Sequence, residues 1–110
     1  MMVKSLLLLC TLLVCRTLAD KYVNFGCMKE VHGRLLRAKA GNLKVNSPWH
    51  CQAFCKDYLY FGVQFGKECF CGNTFSGNLV RISKCTMRCS GNSLLYCGGH
   101  LAIDVYATIS

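Results

Sequence analysis

The chain has 110 residues, ten of them cysteine, thirteen Lys or Arg and five Asp or Glu, for a formal charge of +8. That length holds one domain with a modest core and excludes a second. Five scattered acidic side chains and no G-x-S-x-G leave no recognisable catalytic constellation, so the expectation is a protein that is not an enzyme.

The first 19 residues have the form of a secretory signal peptide. A short basic start from Met1 to Lys4 precedes the apolar run from Leu6 to Val14, and Thr17-Leu18-Ala19 offers small residues before a cut. The apolar run is shorter than the ~20 residues that span a bilayer, so no membrane span is expected. Cleavage after Ala19 would leave a single secreted, extracellular domain over residues 20–110. It would carry 11 basic and 5 acidic side chains, a net +6. The basic residues gather at Lys29, Arg34, Arg37, Lys39 and Lys44, and again at Arg81, Lys84 and Arg88. Such a surface attracts anionic partners, and outside a cell these are glycans before nucleic acid.

The elements follow in order. Tyr22-Val23-Asn24-Phe25 alternates as a strand does. Residues 28–46 read as a polar, basic stretch, with a short helical turn at Leu35, Leu36 and Ala38. Ser47 is a good N-cap and Pro48 suits the first helical position, so a helix is expected to run to Asp57. It would align Cys51, Phe54, Cys55 and Tyr58 on one face. Tyr60 to Phe65 and Glu68 to Cys71 read as a β-hairpin about a two-residue turn, Gly66-Lys67. That register pairs Gln64 with Cys69, Val63 with Phe70, and Gly62 with Cys71. It puts Gly62, Gln64, Cys69 and Cys71 on one face, and Phe61, Val63, Phe65, Glu68 and Phe70 on the other. From Gly72 onward turn residues dominate, until Leu101 to Tyr106 alternates as a final strand.

Eight cysteines form one ordered block: Cys27, Cys51, Cys55, Cys69, Cys71, Cys85, Cys89 and Cys97. Cys10 and Cys15 lie in the leader. An even count behind a secretory leader implies a disulfide framework. Cysteines four apart on a helix span ~6 Å, and two apart on a strand ~6.6 Å, so the helix pair can bridge the hairpin pair. Chain reversal favours a nested arrangement, Cys51–Cys71 with Cys55–Cys69. The remainder would pair as Cys27–Cys97 and Cys85–Cys89. Eight cysteines allow 105 connectivities, so this pairing is a hypothesis. The same compartment argument sets zinc aside. His32, His50 and His100 lack ligand spacing, so neither metal nor cofactor is expected.

The stretch Phe61-Gly62-Val63-Gln64-Phe65-Gly66-Lys67-Glu68-Cys69-Phe70-Cys71-Gly72-Asn73 resembles the WSC domain. So do Gly26-Cys27, the Cys51 and Cys55 pair, Cys89-Ser90-Gly91-Asn92, Cys97-Gly98-Gly99 and Val105-Tyr106. The similarity runs from about Tyr22 to Tyr106. It implies a small disulfide-rich α+β domain of PAN/apple type, one helix packed on a twisted antiparallel sheet. WSC domains occur in fungal cell-wall stress sensors, secreted fungal oxidases and animal receptors, and are described as carbohydrate-binding modules. This chain departs from the family's pattern at His50 and at Leu94-Leu95-Tyr96.

The expected function is therefore non-catalytic binding of a polysaccharide or glycan, an anionic one included. Flat rings take sugar C–H faces and polar groups take hydroxyls. On the hairpin the candidates are Tyr58, Tyr60, Phe65, Glu68, Phe70 and Asn73. Phe61 and Val63 read as core. Trp49 reads as a packing residue first and as a sugar platform second. The alternative is a venom, defence or extracellular-signalling factor that binds a protein partner, for which an exposed Leu94-Leu95-Tyr96 cluster would be the mark. Direct attack on a membrane or microbial surface ranks last, because no long basic amphipathic helix is present.

Overall fold

A computed structural model describes residues 21–109; the expected leader lies outside the described residues. The elements are β1 (Lys21–Lys29), β2 (Lys39–Asn42), α1 (Pro48–Phe54), β3 (Tyr60–Gln64), β4 (Glu68–Gly72), a 3-10 turn (Ile82–Lys84), β5 (Arg88–Cys89), β6 (Asn92–Tyr96) and β7 (Ala102–Ile109). Five strands form one antiparallel sheet in the order β1-β7-β3-β4-β2, and β5 and β6 form a separate hairpin. With α1 packed on the sheet this is the expected small α+β, disulfide-rich domain.

Helix α1 begins as its sequence requires. Ser47 Oγ accepts the N–H of His50, and Pro48 follows the cap. It ends at Phe54, three residues before the expected Asp57. Gln52 Nε2 donates to the Lys21 carbonyl at 3.2 Å and to Thr108 Oγ1 at 3.1 Å, tying the helix to the ends of β1 and β7. The Lys39 ammonium donates to the Phe54 carbonyl at 3.0 Å, where a cation suits a helix C-terminus.

The β3–β4 hairpin differs from expectation by one residue. Gln64 pairs with Glu68, Val63 with Cys69, Gly62 with Phe70 and Phe61 with Cys71. The loop therefore has three residues, Phe65-Gly66-Lys67. Phe65 takes φ 54° and Gly66 φ 79°, while Lys67 avoids the left-handed region that a two-residue turn would ask of it. Tertiary contacts hold this loop: Gly66 N–H donates to the Cys97 carbonyl at 2.9 Å, and Ser90 N–H to the Gly66 carbonyl at 3.2 Å.

A one-residue slip exchanges faces. Phe61 and Val63 share the helix-side face with Cys69 and Cys71, in a core with Cys51, Cys55 and Tyr106. Gly62 and Phe70 look the other way. A Cβ at Gly62 would lie 2.4 Å from Ile103 Cδ1, so Gly62 makes room for Ile103, not for the helix. That second core contains Met28, Leu35, Leu36, Phe70, Ile103 and Val105.

The disulfides are Cys51–Cys69, Cys55–Cys71, Cys27–Cys85 and Cys89–Cys97. All four differ from the expected pairings. The helix pair does bridge the strand pair, but in parallel order, with Cα–Cα distances of 5.5 and 5.3 Å. Cys27 sits on an outer strand, where the turn ending at Cys85 meets it. Cys97 instead closes the short β5–β6 hairpin onto Cys89.

Two further expectations change. Leu35 and Leu36 lie in an irregular loop, not a helical turn, and both are buried; β2 follows them. The last strand starts at Ala102, leaving Leu101 exposed with φ 51°.

Candidate functional site

The six candidate residues do not form one surface. Phe70 is 5% exposed and lies in the second core beneath the Arg34 guanidinium, 5.1 Å from the ring centroid, so it cannot serve as a platform. Tyr58 is half-buried against the helix-side core. Tyr60 packs edge-on against Phe75, with centroids 4.9 Å apart. Asn73 is exposed, and its Oδ1 accepts the Leu59 N–H at 2.9 Å. Phe65 is exposed at the hairpin tip, with Glu68 half-buried behind it. Tyr60 and Phe65 stand at opposite ends of β3, roughly 16 Å apart at strand rise.

The helix side of the sheet offers a better-formed site. A cleft of about 430 Å³ opens between the start of α1, strand β1, the 3-10 turn and β6. Pro48 and Trp49 line it from α1, Ile82 from the 3-10 turn, and Leu95 and Tyr96 from β6. Tyr22, Asp104 and Tyr106 also line it. Trp49 is 46% and Tyr96 44% exposed. Trp49 lies two residues, about half a helical turn, from Cys51, so the two bridges that anchor α1 through its Cys51 and Cys55 side leave it unburied. The Arg88 guanidinium lies 4.5 Å from the Tyr96 centroid and steadies one face of that ring.

Tyr22 and Tyr106 meet edge-to-face at 5.1 Å, and Tyr106 stacks on Phe61 at 5.1 Å. Burial raises the pKa of both phenols, and the neighbouring Asp104 charge raises that of Tyr106 further, so both remain hydroxyl donors at neutral pH. Asp104 is 7% exposed, and its Oδ2 accepts the Gly98 N–H at 3.1 Å. Desolvation raises its pKa from 3.8 to about 6, against the opposing pull of that hydrogen bond.

This shift has a measurable consequence. The folded protein holds the Asp104 proton more tightly than the unfolded chain does. Stability therefore falls as pH rises from about 4 to about 6, and the ionised carboxylate destabilises the fold at neutral pH by about 3 kcal/mol. Asp104→Asn keeps an oxygen for Gly98 and should raise the melting temperature at pH 7, with the gain vanishing at pH 4. Melts of both proteins across that range check it; an equal gain at both pH values would refute the assignment.

Among the described residues two groups of candidate metal ligands occur, Cys51 with Cys55 and Cys69, and Cys27 with Cys85 and Asp104. Their sulfurs are bound in disulfides, so none offers a thiolate.

The sequence contained a partial signal for the cleft. Trp49 reads from sequence as a sugar platform in second place, whereas Tyr22, Tyr96 and Asp104 come from three separate strands and share no motif. The Leu94-Leu95-Tyr96 cluster is split by strand alternation: Leu94 is 83% exposed, while Leu95 turns inward against the core.

Comparison with known proteins agrees with this architecture. The family model of the WSC domain matches residues 24–99. Xylosyltransferase oxt of Drosophila melanogaster is 37% identical over 92 residues, 78% of this chain and 10% of that protein. A WSC domain-containing protein of Arthroderma benhamiae is 38% identical over 58 residues, 51% of this chain and 8% of its own length. Protein SLG1 of Saccharomyces cerevisiae is 34% identical over 105 residues, 93% of this chain and 27% of its own. The chain thus spans a small fraction of each of these relatives. Its cysteine framework, its helix bridged to a hairpin and the family match agree, and the chain belongs to the WSC domain family.

Proposed function

We propose that this WSC module binds glycans without processing them, and that the cleft bounded by Trp49 and Tyr96 is where it does so. The observation that carries the reading is the pair of half-exposed rings, Trp49 and Tyr96, that line one cleft together with a carboxylate and two phenols. Rings accept the C–H faces of a sugar, while Asp104, Asn24 and the tyrosine hydroxyls suit its hydroxyls. The cleft lining contains one carboxylate, whereas glycosidic hydrolysis ordinarily uses two. Four disulfides fit an extracellular setting, and no helix among the described residues is long and apolar enough to cross a membrane.

The test is a glycan array with pull-downs on insoluble glucan, chitin and xylan. Trp49→Ala should weaken the best binder about tenfold without lowering the melting temperature. Phe65→Ala should leave binding unchanged. Blank arrays and pull-downs would remove the glycan reading, and loss with Phe65→Ala alone would move the site to the hairpin tip.

A second reading has its own observation. Leu94 is 83% and Ile82 81% exposed beside the same cleft, which suits a protein partner. Saturable binding to an extracellular protein, lost in Leu94→Asp and kept in Trp49→Ala, would favour it.

A further inference from the structure

The opposite face of the sheet carries a second concavity, built from different chemistry. It begins at Glu30, 8% exposed, whose Oε1 accepts the N–H of Val31 at 3.0 Å and of Leu35 at 2.7 Å. The loop after β1 therefore folds around a buried carboxylate. Leu35 and Leu36 are driven into the core beneath it, at 5% and 1% exposure. The turn that achieves this places Gly33 at φ 84° and Arg34 at φ 76°. The Arg34 guanidinium is then fixed from two sides. Glu30 Oε2 lies 3.6 Å from it, and the Phe70 ring centroid 5.1 Å away.

Across from this loop runs the segment that leaves β4. Asn73 is anchored through Leu59, and Phe75 is held by Tyr60 and, at 6.0 Å between centroids, by Phe25. Between the two segments lies a groove of about 710 Å³. The loop after β1 contributes His32, Arg34 and Arg37 to its lining, and the segment after β4 contributes Asn73, Thr74 and Ser76. No carboxylate is among the lining residues, and Arg37 makes no ion pair among the described residues.

We infer that this groove binds the sulfate or carboxylate groups of an anionic glycan. A guanidinium presents a planar fork that matches either group with two parallel hydrogen bonds. Arg34 is already oriented, so less freedom is lost when it engages. The facing amide and hydroxyls are neutral and suit sugar hydroxyls, which a lipid headgroup or a nucleic-acid backbone does not supply in that number. The net positive charge of the chain adds long-range attraction for the same partner. The inference is independent of the cleft at Trp49, since the two concavities lie on opposite faces of the sheet and each can fail alone.

The test uses the full chain with its disulfides intact. Heparin oligosaccharide and alginate oligosaccharide supply sulfate and carboxylate, and neutral dextran is the control. Binding by calorimetry at 0.15 M salt is expected for at least one of the charged glycans and not for dextran. Arg37→Glu should weaken it about tenfold or more, the loss expected for one charge-assisted contact. Lys56→Glu makes the same charge change beyond α1, on the other face, and should weaken it less than about threefold. Equal losses in the two variants would reduce the effect to net charge and overturn the site. Failure of both charged glycans to bind would also overturn it. So would binding confined to phosphatidylserine vesicles or single-stranded DNA. Loss of glycan binding in Trp49→Ala but not in Arg37→Glu would assign the anion to the other cleft.

Discussion

Replacing Cys27 and Cys85 together with alanine should lower stability by about 4 kcal/mol, the largest effect expected of any of the four bridges. The bridge spans 58 residues, against 18, 16 and 8 for the others. In the chain-entropy account the longest loop restricts the unfolded chain most. It also joins β1 to the turn at Ile82–Lys84, and both meet few other elements. Small domains are stable by only ~5–15 kcal/mol, so the doubly substituted protein should be partly unfolded at 37 °C. Removing Cys89 and Cys97 instead should lower stability by about 2 kcal/mol. Guanidinium titrations of both variants give the comparison. Equal losses, or an unreduced digest linking Cys27 to Cys97, would overturn the connectivity.

Gly98→Ala is expected to destabilise the fold by about 3 kcal/mol or more. Gly98 has φ 73°, and a Cβ there would lie 2.3 Å from the Val63 carbonyl oxygen, 2.7 Å from Gln64 Cα and 2.8 Å from the Ala102 carbonyl oxygen. All three are backbone atoms of the central strands, so no rotamer change relieves the clash. The shift would also disturb the N–H that Gly98 donates to Asp104. Gly33→Ala provides the contrast. Its φ is 84°, but a Cβ there meets nothing within 4 Å, so its loss should be about 1 kcal/mol, the backbone term alone. Urea titrations of the two variants decide the point; similar losses would mean that conformation, not packing, governs Gly98.

The short-range features were legible because their causes are short-range. Ser47-Pro48 starts α1 by capping and fixed φ, and no distant residue is needed for that. Alternation in Tyr60–Gln64 and Glu68–Gly72 marks two strands for the same reason. Their register was not legible. It depends on whether two or three residues form the loop, and Gly66 is held there by Cys97 and Ser90, both more than twenty positions away in sequence. Because side chains alternate, that single residue decided whether Phe61 and Val63 joined the cysteines or opposed them. The expected ligand face dissolved with it. Phe70 went into the core, and Phe65 was left alone at the tip.

By itself the sequence determined the framework: eight cysteines for one small domain, a helix and a hairpin joined by two bridges, and a family whose motifs run along nearly the whole described chain. These follow from residue identity and spacing, which chain geometry translates directly. The tertiary structure alone decided which sulfurs meet, which faces are buried, and where a ligand could lie. Cys27 finds Cys85 because the turn at Ile82–Lys84 folds back onto β1. Trp49, Tyr96 and Asp104 border one cleft because a helix, a hairpin and a central strand converge. Such meetings depend on how separate elements pack, and no local pattern encodes them.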